Sequence, residues 1–226
     1  MKHSSRSRLT TSHTARFASD CLFDKIARAA CRAGCLPRKE LYEAWEVARR
    51  VRRRFRGGRV VDMACGHGLL AHILLLLDNS SAEALAIDTK IPPSAAKLAQ
   101  SLEEDWPRLQ NRVHFLKEDL RSVNLSRDDL VVSAHACGDL TDLILEKTVS
   151  VGARIAVLPC CHDLKTADQG NLGGWLDGPL AVDVNRAILL KSHGYTIYTQ
   201  QIPQAITPMN RLLMAEKIAN GRQGRE

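Results

Sequence analysis

Short apolar runs alternate with longer amphipathic segments from residue 59 onwards. The apolar runs have the length of strands and predict five of them, at 59–63, 84–88, 113–116, 130–133 and 154–158. The segments between and after these strands have helical spacing and predict helices at 67–77, 93–106, 139–149 and 179–192. Strands that alternate with helices form a parallel sheet that is covered on both faces.

The last two strands break this alternation. They are predicted at 196–200 and 211–217, and the link between them, residues 202–210, has no helical pattern. Such a link favours an antiparallel hairpin, because parallel neighbours need a longer crossover connection. The predicted fold class is therefore α/β, with a seven-stranded sheet that ends in an antiparallel hairpin and helices that precede it.

The N-terminal quarter of the chain has a different composition. Residues 1–19 are rich in Ser, Thr and Arg and contain no acidic residue, which predicts a disordered basic tail. An organelle transit peptide shares this composition and stays open as an alternative. Residues 20–57 predict a basic helical extension with helices at 20–35 and 38–56, and residues 58–220 form the α/β domain.

Apolar length and cysteine usage bear on location. The longest apolar block, residues 69–77, includes His72 and is far shorter than the ~20 residues that cross a bilayer, so no membrane association is predicted. The seven cysteines are odd in number and are not spaced as a disulfide framework. Reduced thiols predict a cytoplasmic protein.

One short stretch carries the most specific signal. Asp62-Met63-Ala64-Cys65-Gly66-His67-Gly68 closes the first strand and opens a helix, so it predicts a tight glycine turn. Such a turn lets the backbone approach a nucleotide-like ligand, with N–H groups of the helix start facing it. Asp88 ends the next strand, where a carboxylate can accept hydrogen bonds from both hydroxyls of a ribose.

The same residues fit a dinucleotide fingerprint. Gly66-x-Gly68-x-x-Ala71 has the required spacing, and Asp88 lies twenty residues beyond Gly68. An NAD-dependent oxidoreductase and a turn without a ligand therefore stay open at this point. The terminal hairpin argues against the oxidoreductase, because dehydrogenases continue to connect their strands through helices.

The other strand ends bring further chemistry to the same edge of the sheet, where open α/β sheets bind ligands. Asp119 follows the third strand, Ala134, His135 and Cys137 follow the fourth, and Pro159-Cys160-Cys161-His162 follows the fifth. A general base is the first interpretation, with His135 preferred to His162. A cysteine nucleophile, a zinc site of the three cysteines with one histidine, and a plain pocket wall are the alternatives.

These motifs resemble a known group of enzymes. D-x-A-C-G-x-G followed by an acid resembles the S-adenosylmethionine site of class I methyltransferases, with Ala64 in place of the usual first glycine. The motifs at 135–142 and 159–162 resemble a family of methyltransferase-like domains that is related to tRNA ribose 2′-O-methyltransferases. The resemblance covers about residues 36–218, and the lysine of those tRNA enzymes is Ala134 here.

The resemblance implies a Rossmann-like class I methyltransferase that uses S-adenosylmethionine, with no metal in its site. Asp88 would hold the ribose, Asp119 the adenine, and the glycine turn the methionine end. The implied cofactor-binding residues are Asp62, Ala64, Cys65, Gly66, Gly68, Asp88, Asp119 and Ala134. The catalytic candidates are His135 and His162.

The formal net charge of +7 is unevenly distributed. Residues 1–59 contain 16 Lys and Arg against 5 Asp and Glu, a net charge of +11, whereas the rest of the chain is net −4. This asymmetry indicates an anionic partner, and the sequence predicts RNA; a solvated basic helix is the alternative. The expected RNA contacts are the arginines at the end of the second helix: Arg49, Arg50, Arg52, Arg53, Arg54 and Arg56.

Overall fold

A twisted sheet of seven strands organises the protein, which we describe from a computed structural model covering residues 3–218. The strands are β1 Val60–Met63, β2 Ala84–Asp88, β3 Val113–Lys117, β4 Leu130–Ser133, β5 Arg154–Val157, β6 Tyr195–Gln201 and β7 Arg211–Lys217. Their order across the sheet is β3-β2-β1-β4-β5-β7-β6. Strands β1 to β5 are parallel, and β7 runs antiparallel to both β5 and β6. The predicted fold class and the terminal hairpin are confirmed.

Six α-helices connect and cover the strands. They are α1 Leu22–Ala33, α2 Arg38–Arg54, α3 Leu69–Leu77, α4 Ala95–Asp105, α5 Asp139–Val151 and α6 Gly178–Ser192. Helix α3 begins two residues later than the sequence predicts. Gly68 is the N-cap with a left-handed φ of 71°, so His67 belongs to the glycine turn.

The helices form one layer on each face of the sheet. One face packs against α1 to α4, with Leu41, Val51 and Leu74 among its fully buried side chains. The other packs against α5 and α6, through Ile144 and Leu190. The predicted helical extension, residues 20–57, thus shares a core with the sheet. Both faces of the central strands are covered, which explains why β1 and β4 are buried at every position.

The N-terminal segment differs from the disordered tail that its composition predicts. Leu9 is fully buried and Phe17 is 4% exposed, and both belong to the core that includes α1 and α2. Residues Thr11–Arg16 form a 3₁₀ helix. The backbone is also tied to the start of α2, since the Lys39 N–H donates to the Ser5 carbonyl at 3.0 Å. Burial of Leu9 and Phe17 fixes this segment against the core although its composition is polar, because each buried apolar side chain stabilises the folded state by about 2 kcal/mol.

Two edges of the sheet matter for function. We call the edge where β1, β2, β4 and β5 end the carboxyl edge, and the opposite one the amino edge. Because α2 leads directly into β1, it ends at the amino edge and starts at the carboxyl edge. Residues 1–2 and the predicted domain end at 219–220 lie outside the described part of the chain. Within residues 3–218, no helix has both the length and the apolar character needed to cross a bilayer.

Candidate functional site

The glycine turn forms the centre of the carboxyl edge. Three of its residues have left-handed backbone conformations, with φ of 61° at Ala64, 53° at Gly66 and 71° at Gly68. A Cβ built on Gly66 would meet nothing within 4 Å, whereas one on Gly68 would lie 2.8 Å from the Phe115 ring. The backbone of the turn is therefore packed against Phe115 at Gly68 and has free space beside it at Gly66. A ligand can approach the backbone closely at Gly66, because glycine has no side chain.

Asp88 is held beside this open position. Its Oδ2 accepts a hydrogen bond from the Gly66 N–H at 3.0 Å, and its Oδ1 accepts one from the Lys90 N–H at 3.0 Å. Each oxygen keeps a second lone pair for a further donor. Asp119 lies beyond the end of β3, with its side chain 56% exposed and 3.6 Å from Arg121.

A small cavity of about 10 Å³ lies beneath the turn and contains two buried carboxyl groups, Asp62 and Glu40. Asp62 is 2% exposed, accepts a hydrogen bond from the Ala71 N–H at 3.3 Å, and has a pKa raised to about 8 by burial. Burial, assisted by the charge of Glu43, raises the pKa of Glu40 to about 7. Neither carboxyl group forms an ion pair with a described residue.

Glu40 was missed by the sequence analysis because it lies on α2, outside every strand-end motif. Cys65, Ala134 and His135 line the same cavity, so three further predicted site positions meet there with Asp62. Burial, followed by the charge of Lys39, lowers the pKa of His135 to about 4. His135 is therefore a neutral imidazole at pH 7 and a weak proton acceptor.

His162 lies in a different environment, where charged residues from three elements meet. Its Nε2 donates to Asp183 Oδ1 at 2.7 Å, and the same carboxylate accepts a hydrogen bond from Arg211 Nε at 2.6 Å. Burial alone would raise the pKa of Asp183, but the hydrogen bonds from His162 and Arg211 hold it below its usual range. The other ring nitrogen of His162, Nδ1, is buried without a hydrogen-bond partner among the described residues.

Arg186 extends this network to the loop after β4. It is 3% exposed, pairs with both carboxylate oxygens of Asp142 at 2.7 and 2.8 Å, and reaches the Gly138 carbonyl at 3.3 Å. Beside the network, between α6 and the β6–β7 hairpin, a cavity of about 500 Å³ is lined by Asp183 and Arg211. Asp142 ends the motif at 135–142, whereas Asp183 and Arg186 belong to no motif that the sequence analysis identified.

The arginine run does not form the exposed surface that the sequence predicts. Arg52 is buried, with its Nε donating to the Leu74 carbonyl at 3.0 Å and its Nη2 to Ser81 Oγ at 2.9 Å, so its predicted RNA contact is wrong. Intramolecular partners occupy three more arginines: Glu46 pairs with Arg49 and Arg50, and Glu216 and Tyr198 contact Arg54. Arg53 and Arg56 are exposed. The run lies at the amino edge, opposite the glycine turn.

Comparison with known proteins shows the family to which the chain belongs. A family model described as a methyltransferase domain matches residues 39–167, which is more than half of the chain. The chain belongs to this methyltransferase family. The family match gives no support to the NAD-dependent alternative. The matched residues include the glycine turn and both histidine motifs.

Solved structures show the same fold at low sequence identity. An O-methyltransferase family protein from Burkholderia thailandensis has a TM-score of 0.53 and 17% identity over 94% of this chain. The tRNA methyltransferase TrmK from B. subtilis has a TM-score of 0.52 and 16% identity over 76% of this chain. The chain spans 65% of the length of each. No curated protein matches the sequence.

Proposed function

We propose that this methyltransferase modifies RNA, and that RNA docks at the carboxyl edge. The observation that carries the proposal is the exposed Arg8, which lies near His67 of the glycine turn, together with the exposed Arg6 two residues before it. The segment that contains them is fixed to the start of α2 by hydrogen bonds to the Ser5 and Ser7 carbonyls. Arg8 is close enough to His67 that its charge adds to burial in lowering the pKa of that histidine.

This placement suits a phosphate backbone. Neither Arg6 nor Arg8 makes an ion pair with a described residue, so both guanidinium groups are available to an anion. Arginine binds phosphate through paired N–H donors, and phosphate contacts position a nucleic acid without reading its sequence. The tRNA methyltransferase among the structural neighbours is compatible with this substrate class.

An exposed tryptophan offers a second kind of contact. Trp175 lies in the loop that connects β5 to α6 and is 90% exposed, the most exposed of the large apolar side chains among residues 3–218. Aromatic side chains in such positions stack on unpaired bases, and each stacked base contributes about 1–3 kcal/mol to single-strand binding. We assign this role to Trp175.

The cofactor would be held by residues of the turn and the neighbouring strand ends. S-adenosylmethionine carries a positive sulfonium and an ammonium group. The two carboxyls of the small cavity, Asp62 and Glu40, would lose their protons beside such a cation and then provide the matching charge. Asp88 suits the ribose hydroxyls because its two oxygens are oriented by backbone N–H groups. Asp119 is assigned to the adenine. The turn contributes four further cofactor-binding residues: Ala64, Cys65, Gly66 and Gly68. Ala134 would form one wall of the cofactor pocket.

The bound cofactor supplies a methyl group already activated on sulfur, so the protein must orient the acceptor and remove its proton. We assign proton removal to His162, because Asp183 fixes its ring and leaves Nδ1 as the basic nitrogen. His135 is assigned to orienting the acceptor, because a pKa of about 4 makes it a poor base. This reverses the order of the two histidines that the sequence favours.

The docking model is tested by the salt dependence of RNA binding. Arg6→Gln/Arg8→Gln should reduce the slope of log affinity against log salt by one to two, since each lost phosphate contact removes about 0.7–0.9. Trp175→Ala should lower affinity about 10-fold at every salt concentration and leave the slope unchanged. The matched control, Arg53→Gln/Arg56→Gln, removes the same charge from the amino edge and should leave the slope unchanged.

Methyl transfer is measured on RNA from a strain that lacks the protein, by mass spectrometry of the nucleosides. The expected result is one new methylated nucleoside, with its yield reduced in the Arg6/Arg8 variant. A smaller slope of log affinity against log salt in the Arg53/Arg56 variant alone would show that RNA docks at the amino edge, and it would overturn the docking model. Binding of RNA and cofactor with no methylated product would instead indicate a non-catalytic module that binds the cofactor and RNA, which the sequence leaves open as an alternative function.

A further inference from the structure

Three cysteine thiols meet where the loops after β4 and β5 touch. Cys137 Sγ lies 2.9 Å from Cys160 Sγ, and Cys160 Sγ lies 3.9 Å from Cys161 Sγ. All three sulfur atoms are within 4.8 Å of one another. The loops themselves are joined by a hydrogen bond from the Gly138 N–H to the Cys161 carbonyl at 3.4 Å. We call Cys137, Cys160 and Cys161 the thiol cluster.

We propose that the thiol cluster binds one Zn²⁺ ion through three thiolates, with the fourth position open. Zinc prefers tetrahedral coordination with Zn–S bonds of about 2.3 Å, which places the sulfur atoms of neighbouring ligands about 3.8 Å apart. The Cys160–Cys161 separation of 3.9 Å already meets this requirement. The Cys137–Cys160 separation must widen by about 0.9 Å, which a small rotation of the exposed Cys137 side chain can provide.

No fourth protein ligand completes the site within residues 3–218. The group of potential ligand atoms contains the three cysteines alone. The histidine that could have joined them, His162, has its Nε2 committed to Asp183. Structural zinc sites are closed by four protein ligands, whereas three ligands and an open position are typical of sites that bind water or a substrate atom.

Exposure and charge balance are compatible with this assignment. Cys137 is exposed, so an ion can enter from solvent. Zn²⁺ forms three Zn–S bonds, three S–H protons leave to solvent, and the site becomes a monoanion with water as its fourth ligand. No electrons are transferred, and no oxidant is needed.

The position of the cluster suggests what the open coordination site would do. Cys137 lies two residues after His135, which lines the cavity beneath the glycine turn, and Cys161 directly precedes His162. The ion would therefore lie between the two histidines of the carboxyl edge. An acceptor oxygen or nitrogen could replace the zinc-bound water there. The zinc site itself does not depend on RNA being the substrate.

The test is metal binding by the full chain in a non-chelating reductant. Titration with Co²⁺ as a probe of Zn²⁺ sites should give one equivalent bound, with a thiolate-to-cobalt charge-transfer band that disappears when Zn²⁺ is added. Cys137→Ser, Cys160→Ser and Cys161→Ser should each weaken Zn²⁺ binding by about 100-fold or more, since even loss of an outer-shell partner costs 10–100-fold.

Cys21→Ser is the matched control. Cys21 is exposed and caps α1 through its Sγ, a role that serine fills well, so this variant should keep full zinc affinity. Binding of S-adenosylhomocysteine by each variant shows that its fold is intact. A reduced wild-type protein that takes up less than a stoichiometric amount of metal would overturn the proposal. Equal zinc affinity in the wild type and a folded Cys160 variant would also overturn it.

Discussion

At the scale of single residues, Ala64 stands where the glycine-turn pattern has its first glycine, and its backbone angle shows what this replacement costs. The usual glycine would adopt a left-handed conformation freely, and Ala64 adopts the same conformation with φ of 61°. A left-handed conformation costs an L-residue about 1–2 kcal/mol. The turn therefore keeps the backbone geometry of a glycine while carrying an alanine, and it stores strain next to the proposed cofactor site.

Ala64→Gly should stabilise the protein slightly. The substitution relieves about 1–2 kcal/mol of backbone strain. Glycine also raises the entropy of the unfolded chain, which lowers stability by about 0.4–1 kcal/mol. Loss of the half-buried methyl group removes part of the remaining gain. We expect a gain of about 0.5 kcal/mol in the free energy of unfolding in urea. Gly68→Ala is the opposite case: it should lose about 2 kcal/mol or more, because its Cβ would lie 2.8 Å from Phe115. A loss of stability in the Ala64 variant would contradict the strain argument.

The buried carboxyl group of Asp62 should make stability depend on pH. Its pKa is about 8 in the folded protein and about 3.9 in the unfolded chain, so the folded state binds the extra proton between these values. The free energy of unfolding should therefore fall as pH rises from 5 to 8, by up to about 1.4 kcal/mol per pH unit for this group. Asp62→Asn removes this contribution and should flatten the profile.

The control for this measurement is Asp20→Asn. The Asp20 side chain is 97% exposed, so the same chemical change at that position should leave the pH profile of unfolding unaltered. Comparing the two variants removes the contributions of all other titrating groups. Parallel profiles for the wild type and the Asp62 variant would show that the carboxyl group is ionised in the folded protein.

At the scale of elements, the reactive edge depends on helix α6 as much as on the strand ends. Asp183 and Arg186 lie one turn apart on α6 and hold the loops after β5 and β4 respectively, through His162 and Gly138. Arg211 of β7 shares the same carboxylate. This network makes α6 a positioning element for the two motif loops, although its own sequence carries no recognisable motif.

Asp183→Asn should lower turnover about 10–100-fold by releasing the ring of His162, while S-adenosylhomocysteine affinity changes little. His162→Ala should cost at least as much, since general-base catalysis contributes about 10²–10⁴-fold. The decisive measurement is the double variant under single-turnover conditions. If Asp183 acts through His162, the double variant should be no slower than His162→Ala alone. Fully additive losses would assign Asp183 a purely structural role.

Asp163→Asn is the control for the Asp183 experiment. Asp163 directly follows His162 and is exposed; its carboxylate accepts a hydrogen bond from the Lys165 N–H, which asparagine can replace. This variant makes the same substitution beside the same histidine without touching its ring nitrogens. It should retain wild-type turnover, which separates the specific effect of Asp183 from a general disturbance of the loop.

At the scale of the whole molecule, the arginine run and the candidate site residues lie at opposite edges of the sheet. The arginine run lies at the amino edge, where Arg52 helps to join α2 to α3 and Arg54 contacts the terminal hairpin. The carboxyl edge carries the glycine turn, the buried carboxyls and the thiol cluster, with Arg8 near His67. A high density of arginines in the sequence is therefore a poor guide to the RNA-binding face, because several of these arginines form hydrogen bonds or ion pairs within the protein.

The sequence by itself determined the class of fold and which strand ends share the carboxyl edge. Strand and helix periodicity predicts all seven strands, because buried strands must be apolar and their connecting helices amphipathic. The link at 202–210 predicts the hairpin, and the carboxyl ends of parallel strands necessarily share one edge. Asp62, Gly66 and Asp88 could thus be brought together from local patterns alone, since each directly follows or ends a predicted strand.

Tertiary structure decided everything that depends on which side chains pair across elements. Burial of Arg52 follows from its contacts with α3 and Ser81, far along the chain, and no local pattern distinguishes it from the exposed Arg53. The roles of Glu40 and Asp183 likewise come from packing α2 and α6 against the strand ends. The pKa of His135 is a further case: desolvation depends on the surrounding atoms, and these come from α2 as well as from its own strand.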